Sequence, residues 1–166
     1  MQHLAEAMGI LRGSLYAHIA SKEDLLFDIV EWGADRFVTR MEEVLASEAD
    51  PEKKVRMAIA AHVETVAEHM DASTVFLNDW KFLSDDRRSE ILAKRDLYES
   101  LVGEIIEEGI EWEVFPADLD PRFATLLILS TVNWVYQWYN PQGALSSQEI
   151  ARVFSDMILN GIKSRD

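Results

Sequence analysis

QHLAEAMGILRGSLYAHIASKEDLL, residues 2–26, reads as a helix, a tight glycine turn, a second short helix and the capped start of a third. Leu4, Ala7 and Met8 repeat at helical spacing, and Gly9 follows where the chain must leave the helix through a backbone angle that other residues resist. Ile10 and Leu15 are predicted to pack back on the first helix. Arg12, Gly13, Ser14, Tyr16 and His18 take the other face of a helix too short to exist for packing alone. Ser21, with Asp24 three residues on, makes a capping-box pattern, and Leu25 and Leu26 open the next apolar stripe. Two helices joined through a Gly-containing turn form a helix-turn-helix, whose second helix lies in the major groove of DNA.

From Ser14 to Leu25 the order Ser-Leu-Tyr-Ala-His-Ile-Ala-Ser-Lys-Glu-Asp-Leu resembles the recognition-helix region of the TetR family of bacterial transcriptional regulators, with its Leu-Tyr pair followed by Ser-Lys-Glu. The resemblance implies a partial DNA-binding head over residues 1–26 and a helical ligand-binding and dimerisation domain over 27–166. It also implies a homodimer, because two heads must read two half-sites of an operator. In the family a further helix precedes the position of Met1 and packs across the other two. DNA binding without it is therefore an open expectation, and the alternative is a head-defective dimer that binds a small molecule or sequesters a full-length partner. Arg12 is the best candidate base reader, since a guanidinium can bond both acceptors of a guanine edge, worth about 1–3 kcal/mol of discrimination. Ser14 and His18 are secondary readers, Gly13 belongs to the same turn of helix, and the resemblance puts Tyr16 and Lys22 on phosphates, where they position without choosing sequence.

Working outward, the chain has 166 residues, of which 48% are hydrophobic, enough for a core. Helix formers dominate, with four prolines, seven glycines and no β-branched alternation, so the fold class is all-α. There is no cysteine, which excludes disulfides and thiolate metal sites, and no basic-then-apolar leader is visible; the expected compartment is the cytoplasm. The net charge is −14, yet residues 1–22 carry Arg12 and Lys22 against Glu6, a local +1 that leaves −15 on the remainder. Such a body repels phosphates, so affinity for DNA has to come from a locally docked head.

One long helix is predicted from Ser21 to about Ser47, with Leu26, Val30, Gly33, Phe37, Met41 and Val44 on one stripe. Asp50-Pro51 opens the next, whose buried face is Val55, Ile59, His62, Val63, Val66 and Met70. A short aromatic helix from about Ser73 to Leu83 follows, then a long one capped by Ser84 and running to about Glu111. Residues 123–148 hold no charge at all, and their helical part, from Asp120-Pro121 to about Tyr139, is apolar nearly all round, which predicts burial on several sides. A membrane span is the rival reading, but the segment is short and contains Thr125, Ser130, Thr131, Asn133 and Gln137. The last helix starts near Ser147 on a stripe of Ile150, Val153, Phe154, Met157, Ile158, Gly161 and Ile162. Two apolar C-terminal helices predict a two-fold four-helix interface with a second copy.

For ligand binding the candidates are His62, Phe76, Trp80, Arg95, Tyr98 and Trp134, with Phe82, Leu101, Ile105 and Trp138 as further wall residues of an apolar cavity. For most of them plain core is the first reading and pocket wall the second. Arg95 interrupts an apolar stripe and must find an anion; a ligand's carboxylate or phosphate would serve, and so would Asp79 or a glutamate. His62 and His69 lie two turns apart, about 10 Å along a helix, too far for one metal to join. No phosphate loop, nucleophile elbow or cofactor motif is present, so no enzyme, cofactor or metal is expected. The helix order and the run N-W-V-Y-Q-W-Y-N-P, Asn133 to Pro141, resemble the TetR regulators that respond to fatty acids or acyl-coenzyme A, which implies such an effector.

Overall fold

The computed structural model describes residues 19–162, and all secondary structure among them is helical. The helix α1, Lys22–Leu45, is capped by Ser21, whose hydroxyl accepts from the Asp24 N–H at 3.0 Å. It is unbroken through residues 26 and 27, where the sequence reading divides head from body. α2, Pro51–Glu68, starts as the Asp50-Pro51 pair predicts: the Asp50 carboxylate accepts from the Lys53 N–H and Pro51 occupies the first turn. The chain then breaks at His69, a non-helical pivot, so Met70 opens a separate short helix, α3, Met70–Asn78, and does not extend the stripe of α2. A single 3₁₀ turn, Trp80–Phe82, leads into α4, Asp85–Glu111. Ser84 precedes α4 but its side chain caps nothing; its N–H donates instead to the Glu23 carboxylate of α1 at 3.0 Å.

α2 is the central post, in contact with each of the other helices among the described residues. Its Ile59 and Val63 meet Val30, Phe37 and Met41 of α1 and Ile91 and Ile105 of α4 in one continuous core. One ion pair is set into that packing: Lys54 of α2, 6% exposed, donates to both oxygens of Glu108 on α4 at 2.8 and 3.0 Å. α4 ends in a tight reversal. The Val114 and Phe115 N–H groups both return to the Gly109 carbonyl, and the Phe115 ring fills the space that a larger side chain at 109 would need, 2.2 Å from where its Cβ would stand.

The segment predicted as one helix from Asp120-Pro121 to Tyr139 is two. α5, Pro121–Asn133, is capped by Asp120 and stops at Trp134, and α6, Val135–Trp138, is a single turn beyond it. α7, Ser147–Ile162, closes the chain against α2. Among the described residues no helix is long and apolar enough to cross a membrane.

Candidate functional site

A cavity of about 250 Å³ lies between α1, α2, α3, α4 and α5. Its apolar wall includes Phe37, Phe76 and Leu129, so the long helix α1 forms part of the lining. Phe37 and Phe76 stack at 5.3 Å between ring centres. The polar lining is His62 of α2, Arg95, Asp96, Tyr98 and Glu99 of α4, and Ser130 and Asn133 of α5.

Of the six ligand residues expected from sequence, His62, Phe76, Arg95 and Tyr98 line this one space. Trp80 stands beside it: the Arg95 guanidinium lies over the Trp80 ring at 5.1 Å and over Phe76 at 5.5 Å. Trp134 is 61% exposed at the α5–α6 break and is not part of this lining; Phe82 is also exposed, Trp138 packs edge-on to Phe154, and Leu101 and Ile105 are core. Phe37, Leu129 and Asn133 escaped the sequence reading. Phe37 was hidden in a regular core stripe, whereas Ser130 and Asn133 carried a usable signal, polar groups in an otherwise apolar run.

Among the described residues Arg95 finds none of the ion-pair partners that a buried cation demands. No hydrogen bond or ion pair joins it to Asp79 or to another described residue. Partial burial lowers its pKa from the ordinary value, against the weaker pull of Asp96 and Glu99. A guanidinium held by two ring faces, with its N–H edges uncommitted, is a receptor for a carboxylate or phosphate.

Deeper in, His62 Nδ1 and the Tyr98 hydroxyl are 2.8 Å apart, and His62 Nε2 has no hydrogen-bond partner among the described residues. Burial among Phe37 and its neighbours pushes the imidazole pKa from 6.5 down to about 3, and the same burial raises the Tyr98 phenol. The imidazole is therefore neutral in the fold but takes up a proton on unfolding below pH 6.5. Stability should consequently fall as the pH drops from 6.5 towards 3, at up to about 1.4 kcal/mol per pH unit from this group. Urea denaturation at pH 7, 6 and 5 should show that loss in the parent and a shallower one in His62→Gln.

The start of α1 is latched to the start of α4. Arg87 pairs with Asp24 and lies 3.9 Å from Glu23, and its guanidinium covers the Phe27 ring at 5.1 Å. The Arg87 hydrogen bond is the main cause of the lowered Asp24 pKa. Two turns further along, Lys94 holds Glu31 and Asp35 of α1. The helix that carries Arg95 and Tyr98 is thus tied to the first turn of α1. Lys22 stands exposed in that turn, whereas Arg12, Gly13, Ser14, Tyr16 and His18 lie outside the described residues.

The C-terminal helices present a second surface. α5 and α7 pack together, and both carry an outward apolar row: Phe123 and Leu127 on α5, Val153 and Met157 on α7, with Phe123 70% and Met157 71% exposed. The opposite side of each helix is buried through Ile128 and Val132, and through Ile150, Ile158 and Leu159. This is why the sequence of α5 looks apolar all round. One side faces the chain's own core and the other faces out, as a self-association surface does.

Comparison with known proteins gives the arrangement a family. Residues 48–162 match the family described as Tetracyclin repressor-like, C-terminal domain. The chain is 30% identical over 165 residues to the HTH-type transcriptional repressor KstR2 of Mycobacterium tuberculosis, covering 98% of this chain and 82% of that protein. It superposes on the crystal structure of the TetR regulator PfmR from Thermus thermophilus with a TM-score of 0.91 at 32% identity, covering 98% of this chain and 88% of that one. A TM-score of 0.83 at 25% identity relates it to AibR in complex with isovaleryl coenzyme A and operator DNA, over 94% of this chain and 84% of that one. By fold, by motif and by these relatives, the chain belongs to the TetR family of transcriptional regulators.

Proposed function

We propose that the protein is a ligand-responsive repressor that binds operator DNA as a homodimer in the cytoplasm and is released by a fatty acid or acyl-coenzyme A held in the Arg95 cavity. The observation that carries this reading is the guanidinium of Arg95, without a hydrogen bond or ion pair among the described residues, beside a cavity whose wall includes Phe37, Phe76 and Leu129. The anionic group of the effector pairs with Arg95, and its chain packs on Phe37, Phe76 and Leu129. AibR, a relative of the same fold, supports the acyl class by what it was crystallised with.

Release follows from where the cavity lies. Its wall includes Phe37 of α1, and α1 leads straight to the residues proposed to meet DNA: Arg12, Gly13, Ser14 and His18 on base edges, Tyr16 and Lys22 on phosphates. Filling the cavity displaces α1 against α4, and the Arg87 latch converts that shift into a new position of the head. The effector has only to prefer the non-binding arrangement by about 1–3 kcal/mol.

Thermal melting with decanoyl-coenzyme A tests the site. The melting temperature of the parent is expected to rise with the logarithm of ligand concentration, because the ligand binds the folded state. Arg95→Leu should weaken binding about ten- to a hundredfold, the worth of a charge-assisted hydrogen bond. Equal stabilisation of parent and variant would remove Arg95 from recognition.

A further inference from the structure

The His62–Tyr98 pair has a proton to spare. A neutral imidazole carries one N–H and a phenol one O–H, and the 2.8 Å contact between Nδ1 and the hydroxyl uses one of these two donors. If the Tyr98 hydroxyl donates to Nδ1, the imidazole proton sits on Nε2 and is the single group left over. If Nδ1–H donates to the hydroxyl, the phenol proton needs a second acceptor, and bare Nε2 needs a donor. Among the described residues Tyr98 has no second partner and Nε2 has none, so the first arrangement leaves one polar group unmet and the second leaves two. Each buried unmet group is costly, which favours the first. His62, 2% exposed and part of the cavity lining, then carries a buried N–H donor with no acceptor among the described residues.

We propose that this donor is a specificity element: His62 Nε2–H bonds a carbonyl oxygen carried on the apolar part of the effector, and Tyr98 is the positioning residue that holds the imidazole in that tautomer. The inference rests on the proposed acyl effector and narrows its class. The ligand bears two oxygen functions, an anion for Arg95 and a ketone-type carbonyl at a distance from it, joined by an apolar frame. A plain saturated chain satisfies Arg95 and leaves His62 unmet.

The probes are decanoic acid and its monooxo isomers, titrated against the full chain by calorimetry. One oxo isomer is expected to bind the parent about tenfold more tightly than decanoic acid, the worth of one good hydrogen bond. That preference should vanish in His62→Phe, and should shrink in Tyr98→Phe, which keeps the imidazole and its shape. In Arg95→Leu all the acids should weaken while the oxo preference survives, so loss of the anion anchor and loss of the carbonyl contact read separately. An independent measurement without ligand is the ¹⁵N spectrum of histidine-labelled protein, where His62 should show a protonated Nε2 and an unprotonated Nδ1. No oxo preference in the parent, a preference that persists in His62→Phe, or a proton on Nδ1 would overturn the inference. Failure of every acid to bind would overturn the acyl reading on which it rests.

Discussion

Met157→Glu is expected to split the protein from a particle of two chains to one of a single chain, 19.0 kDa. Met157 is 71% exposed in the isolated chain, on the outward row of α7 and beside the outward row of α5. A carboxylate there costs little in a monomer, where water surrounds it. In a two-fold interface the same substitution places two carboxylates in an apolar surface without partners, a penalty of several kcal/mol. Light scattering over a range of concentrations reads the outcome, and circular dichroism shows whether the monomer keeps its helices. A dimer of unchanged mass would move the interface elsewhere.

The largest loss of stability is expected from Glu108→Ala. Lys54 is 6% exposed, and both oxygens of Glu108 accept from its ammonium. Removing the carboxylate strands a cation between α2 and α4, which costs about 3–5 kcal/mol when a buried pair loses one member. The double replacement Lys54→Met, Glu108→Leu should recover most of that loss, because apolar groups of similar volume avoid both desolvation penalties. Chemical denaturation of the two variants decides the matter. If the single variant is as stable as the double, the pair contributes nothing beyond surface charge.

Local chemistry made much of the fold legible. Ser21 caps α1 as its position before the acidic turn implies, and Asp50-Pro51 and Asp120-Pro121 open α2 and α5. The breaks at His69 and Trp134 were not legible, because neither position has a glycine or proline and both are set by how α3 and α6 pack on α2. Ser84 has the right residue type for a cap, but Glu23, 61 positions earlier, engages its N–H.

The cavity shows the same division. His62, Arg95 and Tyr98 stood out because polar groups on apolar stripes need a reason, and they do share one space. Trp134 was a candidate by composition alone, and an aromatic residue in an apolar run says nothing about which side it faces. Nor could the pattern of α5 and α7 separate burial in the chain's own core from burial against a second copy, since both demand the same side chains.

The central claim is that a ligand in the Arg95 cavity controls the hold on DNA. The direct measurement is fluorescence anisotropy with DNA from upstream of the chain's own gene, titrated with and without saturating decanoyl-coenzyme A at one fixed salt concentration. The account predicts specific binding by a two-chain particle and a loss of affinity of about 5- to 150-fold when the ligand is present. Decanoyl-coenzyme A that raises the melting temperature yet leaves the DNA affinity unchanged would contradict it.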